Sequence, residues 1–223
     1  MTIKRKLFAS AAVAIALGTG YVGSRTTLRS PLPATDPIFA SKAFRKLNSF
    51  GNPTNSDECW TTIPLSRLRP ELLENEADLA LEFCRGIWSS RIGFDLPRLY
   101  WYLRWYTPST SAHLWTRHSL SSSSYTPGTH LTNHFTVLSK TSNSITIRFG
   151  DSPSNSGPRP LDGIFEIKAQ IHRDEGVARL SLKTLVFCGD RRMDGKIVPL
   201  PADLVHHSVA RLWCVTGSWG LYT

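Results

Sequence analysis

Four short stretches between residues 130 and 188 decide the fold: HLTNHFTVLS at 130–139, SITIRF at 144–149, FEIKAQIH at 165–172 and RLSLKTLV at 179–186. In each stretch apolar residues alternate with polar ones, which places the apolar residues on one face of a β-strand. Short polar breaks, KTSN at 140–143 and RDEG at 173–176, favour tight connections between the strands. The pattern predicts an antiparallel sheet with one buried face.

Two amphipathic helices are predicted outside these stretches. Apolar residues recur every three or four positions from Pro70 to Trp88, and again from Leu204 to Trp213. This order of elements predicts an α+β fold. We place this single domain at residues 59–216, after a linker at residues 26–58 that is rich in Ser, Thr, Pro and Asn.

The N-terminal segment, residues 1–25, has the pattern of a membrane anchor or targeting segment. Lys4-Arg5-Lys6 precedes an uncharged apolar segment, residues 7–23. That length reaches the lower end of the roughly 17–25 residues that span a bilayer. Cleavage as a secretory signal and a mitochondrial presequence remain open, since residues 1–35 contain no acid. We favour a retained single-pass anchor helix, which predicts a location in the mitochondrial or endoplasmic reticulum membrane.

The net charge of +9 does not indicate a nucleic-acid-binding face. Residues 1–46 carry eight Lys or Arg against a single acid, whereas the remainder of the chain is close to balance. A local exception is the segment 85–117, where five arginines accompany only Asp95. Within it, the aromatic-rich residues 96–106 leave two interpretations open: a helix packed against the sheet, or a helix that lies at a membrane surface.

The chain also resembles a group of fungal proteins of unknown function. The likeness covers about residues 50–216 and rests on GTHLTNHF at 128–135, IRFGDSP at 147–153, RPLDGIFE at 159–166, LKT at 182–184 and the ending PLP…H…RLW from residue 199. More distantly, the layout is similar to uncharacterised bacterial proteins of the helix-grip (START or polyketide-cyclase-like) type. The resemblance implies a curved sheet that grips the C-terminal helix around a cavity. It also implies binding of lipids or hydrophobic metabolites, or their cyclisation, dehydration or isomerisation.

An apolar cavity between the sheet and the C-terminal helix would be a ligand site. The predicted ligand-binding residues are Phe135, Ile147, Phe165, Ile167, Leu182 and Trp213. The same residues would equally fill a closed core, so both outcomes remain open. No cofactor is predicted, because the chain has neither a Gly-rich phosphate loop nor a dinucleotide fingerprint.

Polar residues gather around the loop at 151–159. The predicted polar cluster comprises Arg148, Asp151 and Arg159. One interpretation is a salt-bridged strand end, and the other is an acid or base at the mouth of a cavity. The candidate catalytic residues are Asp162, Glu166 and His207. No metal site is predicted, because the spacing of the histidines gives poor chelating geometry.

Three functions fit these observations. We favour a membrane-associated domain that binds a hydrophobic small molecule or lipid in the cavity, with membrane lipid as a partner and no nucleic acid. The first alternative is a cofactor-independent cyclase, isomerase or dehydratase of a hydrophobic metabolite on the same scaffold. The second is a non-catalytic membrane-anchored interaction protein with a filled core. An enclosed cavity, and an acid-base pair that faces it, would distinguish them.

Overall fold

A curved seven-stranded sheet forms the centre of the structure, a computed structural model that describes residues 18–223. The strand order is β1-β2-β7-β6-β5-β4-β3, and all neighbouring strands are antiparallel. The strands are β1 (Thr27–Arg29), β2 (Asn55–Pro64), β3 (His130–Leu131), β4 (Phe135–Lys140), β5 (Ser144–Phe149), β6 (Asp162–His172) and β7 (Val177–Phe187). The antiparallel sheet predicted from the alternating stretches is therefore confirmed.

Helices cover both faces of this sheet. They are α1 (Pro37–Ala40), α2 (Lys42–Leu47), α3 (Glu76–Ser89), α4 (Asp95–Trp105), α5 (Arg117–Ser122) and α6 (Leu200–Ser218), and residues 18–25 are also helical. The C-terminal helix α6 packs over β2 and β7, and α3 packs beside it over β5 and β6. We call this side of the sheet the helix face and the opposite side the outer face.

The two large helices touch through their backbones. A Cβ atom added to Gly86 of α3 would lie 2.1 Å from the carbonyl oxygen of Gly217 of α6. A side chain at either position would push the helices apart, so the two glycines allow both helices to fit on one sheet face. The start of α3 is fixed by Asn75, whose side chain accepts a hydrogen bond from the backbone N–H of Ala77.

Aromatic side chains fill the space between the helix face and these helices. The ring centroid of Trp88 lies 4.9 Å from Phe94, 4.6 Å from Phe135 and 5.2 Å from Trp213. Trp88 is buried and comes from α3, next to the C-terminal helix. Both α3 and α6 therefore contribute side chains to the core. Helix α3 occupies space that would stay open if the sheet packed on α6 alone.

The predicted linker, residues 26–58, is ordered: it supplies β1 and the start of β2 to the sheet, and α1 and α2 form a layer on the outer face. The side chain of Asp36 caps α1 by accepting a hydrogen bond from the N–H of Ile38, and it lies 3.0 Å from the ammonium of Lys183. The ring of Phe44 meets that of Phe187 at 5.4 Å. The polar composition of this segment thus reflects helix caps and short turns, and its few apolar residues pack on the sheet.

The predicted anchor, residues 7–23, falls mostly outside the described residues. Only its end, residues 18–23, is seen, within the helical residues 18–25. Thr26, at the end of this helix, accepts a hydrogen bond from Arg211 of α6 through its carbonyl oxygen at 3.0 Å. Among residues 18–223 there is no helix with the length and apolar character needed to cross a membrane. The single-pass anchor therefore stays a prediction.

Candidate functional site

Helix α4 has one face packed against the sheet. The ring centroid of Trp101 lies 5.2 Å from that of Phe135 on β4. The rings of Trp101 and Trp105 are both nearly parallel to the imidazole of His134, at 4.9 and 5.7 Å. The first interpretation of residues 96–106, a helix packed against the sheet, is therefore confirmed for this face.

The opposite face of α4 exposes large apolar side chains to solvent. Leu96 and Leu103 are 76% and 77% exposed, and the other exposed members are Leu99 and Tyr100. Their spacing of three or four residues places them along one side of the helix. Contiguous exposed apolar surfaces are typical of sites that bind another protein or a membrane.

Arginines surround this apolar face. Arg91 and Arg104 are exposed near its two ends, and neither forms an ion pair with another described residue. Arg98 and Arg117 both form ion pairs with Asp95. Burial alone raises the pKa of the Asp95 carboxyl, but its hydrogen bonds with these two arginines hold the pKa below its ordinary value. The region therefore keeps an excess of positive charge.

A second exposed apolar face lies on the first half of α6. Its members are Leu200, Leu204 and Val205. The row of paired residues that crosses the sheet here runs through Thr136, Arg148, Ile164, Leu185 and Ser56. Helix α4 contacts Phe135 at one end of this row, and His206 of α6 lies 2.8 Å from Asp57 at the other end. The two helices thus contact the same end of the sheet, at strand positions four strand spacings or about 19 Å apart.

The six predicted ligand-binding residues are brought together in the core. All of them are buried, and all belong to one apolar cluster beneath α3 and α6. The ring of Phe165, for example, lies 5.8 Å from that of Trp213, whose indole N–H donates to the carbonyl oxygen of Gly93 at 2.9 Å. These side chains contact one another and the aromatic residues of α3.

The polar cluster is organised by one buried ion pair. The Nε and Nη2 atoms of Arg148 donate to the two carboxylate oxygens of Asp162 at 2.9 and 2.6 Å. The remaining guanidinium hydrogens reach the carbonyl oxygens of Ser156 and Gly157 at 3.1 and 2.6 Å. Asp162 is 0% exposed. This pair is the salt-bridged strand end of the first interpretation, and it ties the loop at 151–159 to β5 and β6.

Arg159 is buried beside this pair without a carboxylate of its own. It is 2% exposed, and its guanidinium donates to the carbonyl oxygens of Phe149, Ser152 and Asn155. Burial and the neighbouring charge of Arg148 lower the pKa of Arg159. Asp151, the third member of the cluster, accepts hydrogen bonds from Asn155 and from the backbone of Ser152.

The structure does not bring the three catalytic candidates together. Asp162 and Glu166 point to the outer face, and the carboxylate of Glu166 lies 3.7 Å from the ammonium of Lys183. His207 lies on α6 across the sheet, with its Nε2 atom 4.0 Å from Asp203. Sequence reasoning did not single out His206 and Asp57, which form a closer pair. Residues 18–223 contain no group of three His, Cys, Asp or Glu side chains suited to a metal ion.

His134 lies at a small cavity beside the end of α4. The cavity has a volume of about 160 Å³ and is bounded by Trp105, Asn133 and Asp151 among others. Burial lowers the pKa of His134 to about 4, so the imidazole is neutral at pH 7. Thr132 and Asn133 have φ angles of 47° and 51°, a left-handed backbone that is uncommon outside glycine.

The low pKa of His134 predicts a loss of stability in acid. An unfolded histidine has a pKa of about 6.5, so between this value and about 4 the unfolded chain binds a proton that folded His134 does not. The free energy of unfolding should therefore fall as the pH drops through this range. Urea unfolding at pH 7, 6, 5 and 4 measures the slope, and His134→Phe, which keeps an aromatic ring against Trp101, should flatten it. His118 is exposed and serves as the control. If His118→Gln changes the pH dependence of the free energy of unfolding and His134→Phe does not, this dependence does not come from His134.

Comparison of the chain with protein-family models, with curated proteins and with solved structures finds no match. The resemblance to the fungal group and to helix-grip proteins therefore stays a prediction. The functional argument below is built on the geometry of this chain.

Proposed function

We propose that the chain is a membrane-associated domain. The exposed apolar face of α4, on the helix-face side of the sheet, binds the surface of an anionic lipid bilayer. The observation that carries this proposal is the exposed apolar face of α4, with Arg91 and Arg104 near its ends. In an interfacial helix the apolar side chains enter the boundary between headgroups and acyl chains, and basic residues meet anionic lipid. Leu96 and Leu103, the most exposed leucines of α4, would enter deepest.

Charge favours a bilayer over a second copy of the chain. A two-fold contact through the α4 face would bring Arg91 and Arg104 close to the same two arginines of the other copy, since Asp95 is already paired with Arg98 and Arg117. Like charges across an interface oppose association. An anionic lipid surface meets the same arginines with opposite charge.

The geometry of the helix face also suits a flat partner. The strand positions that α4 and α6 contact, Phe135 and Asp57, lie at the same end of the sheet, four strand spacings or about 19 Å apart. A bilayer can contact both helices at once. The basic and apolar residues 4–23 of the sequence would add a second membrane signal, and stable attachment commonly needs two.

A dye placed on α4 tests this proposal in the full chain. We expect an environment-sensitive fluorophore on Leu103→Cys to shift to the blue and brighten with vesicles of phosphatidylserine and phosphatidylcholine. Arg91→Gln with Arg104→Gln should weaken this response about 30-fold at low salt, because each arginine contributes about 1 kcal/mol near an anionic surface. Leu96→Ser should weaken it as well, and high salt should reduce it.

Matched variants separate α4 from the rest of the chain. Arg45→Gln with Arg67→Gln removes the same charge at exposed positions away from α4 and should leave the response nearly unchanged. The same dye on Arg45→Cys, on the outer face, should stay in water. If the chain sediments with vesicles while the dye at residue 103 reports water, the proposed role of α4 is wrong. Dimers that Leu96→Ser dissociates would assign the face to a second copy instead.

A further inference from the structure

The outer face of the sheet carries a groove with a volume of about 670 Å³. The layer formed by α1 and α2 packs on β6 and β7 through Ile38, Phe44 and Leu47. It does not reach the outer face of β4 and β5, where Thr136, Leu138 and Thr146 form the floor of the groove. The volume falls within the range of roughly 300–1,000 Å³ typical of small-molecule sites.

The walls of the groove combine apolar and cationic side chains. Ile38, Leu47 and Leu138 supply apolar surface. Lys42 and Lys46 line the same groove from α2, and their spacing of four residues places them on one side of that helix. Both lysines are exposed, and neither forms an ion pair with another described residue.

Arg159 adds a buried positive charge at the same groove. It lines the cavity together with Arg148. The carboxylate of Asp162 is engaged by Arg148 through both oxygens, whereas Arg159 is held by carbonyl oxygens alone. Asp151 and Asp162 lie near enough to favour the charge of Arg159, but Arg159 forms no ion pair with a described residue, and a further anion near a buried cation is favourable. Among residues 18–223, Glu166 is the one acid that lines the groove, and Lys183 lies 3.7 Å from it.

We propose that this groove binds a soluble amphipathic anion, a molecule with an apolar chain and one carboxylate or phosphate group. The apolar chain would lie between Leu138 and Ile38, and the anionic group would meet Lys42 and Lys46. The groove lies on the opposite face from α4, so a bilayer bound to the helix face leaves it open to water. This inference does not depend on the proposed membrane binding.

Isothermal titration with four probes tests the groove. Dodecanoate and dodecyl phosphate, below their micellar concentrations, should each bind with saturation at one molecule per chain. Inorganic phosphate and dodecyltrimethylammonium should bind at least tenfold more weakly, because one lacks the apolar chain and the other has the opposite charge. Lys42→Glu with Lys46→Glu should weaken binding of both anions at least tenfold, and Leu138→Trp should weaken it by filling the floor.

Control variants keep the result specific. Arg67→Glu with Lys196→Glu makes the same change in net charge at exposed positions outside the groove and should leave the affinity within about twofold of the starting value. Circular dichroism and thermal unfolding check that each variant folds. Absence of saturable binding by either anion, or equal binding of the cationic probe, would overturn the proposal. Equal weakening by Arg67→Glu with Lys196→Glu would also overturn it. The α4 dye response should not change in the lysine variants, so failure here is separate from failure of membrane binding.

Discussion

Replacing Asp162 by alanine is expected to lower the free energy of unfolding by about 3–5 kcal/mol, because it leaves the guanidinium of Arg148 buried without its carboxylate. Asp162 accepts two hydrogen bonds from Arg148 and one from the backbone N–H of Gly163 at 3.1 Å. Asp162 is fully buried, and Gly189 lies against it: a Cβ added there would lie 3.1 Å from Oδ2. Water therefore cannot replace the lost carboxylate without movement of the chain.

Chemical denaturation of Asp162→Ala measures this loss of unfolding free energy, and two further variants serve as controls. Glu71→Ala removes a carboxylate from an exposed ion pair with Arg69 and should cost at most about 1 kcal/mol. Asp162→Ala combined with Arg148→Met removes both charges and should recover part of the stability, since an unpaired buried charge costs more than an apolar replacement. If Asp162→Ala and Glu71→Ala lower the free energy of unfolding by the same amount, the Arg148–Asp162 ion pair does not stabilise the fold as its burial indicates.

The sheet could be predicted from the sequence because the alternation of apolar and polar residues that indicates each strand involves only neighbouring residues. Alternation within each strand, as in Phe165–Ile171, depends on neighbouring residues alone. The polar cluster of Arg148, Asp151 and Arg159 was predicted for the same reason, since it surrounds the loop that connects two alternating stretches. The partner of Arg148 could not be predicted: Arg148 pairs with Ile164, and Asp162 and Glu166 lie two residues to either side.

The outer groove could not be predicted, because its walls come from distant parts of the chain. Residues 38–47 lie within the predicted linker, and their packing partners Ile164 and Phe187 lie more than a hundred residues away. Nothing local marks where this layer ends on the sheet. The exposed face of α4 could be recognised in the sequence from the three- and four-residue spacing of Leu96, Leu99, Tyr100 and Leu103. The contact of Trp101 with Phe135 on the other face could not.

The sequence left open whether this core is filled or encloses a cavity, and Trp88 shows why. Periodicity predicted a helix that contains Trp88 but could not place it beside α6, where Gly86 and Gly217 bring the helices into backbone contact. That contact inserts the Trp88 ring between Phe135 and Trp213. Trp88 and the aromatic side chains around it thus lie between the sheet and the C-terminal helix, where a cavity was predicted.

Replacing Trp88 by alanine is therefore expected to cost about 3–5 kcal/mol of unfolding free energy and to open an apolar space under α3 and α6. Urea or thermal unfolding measures the loss. Trp219→Ala, at a tryptophan that is 46% exposed, should cost far less. A dry apolar space binds small apolar molecules, so indole should raise the melting temperature of Trp88→Ala and leave that of the original chain unchanged. The opposite result would be decisive: if indole or a larger apolar ligand stabilises the original chain while Trp88→Ala costs little, the interior is a ligand cavity and the packed core is wrong.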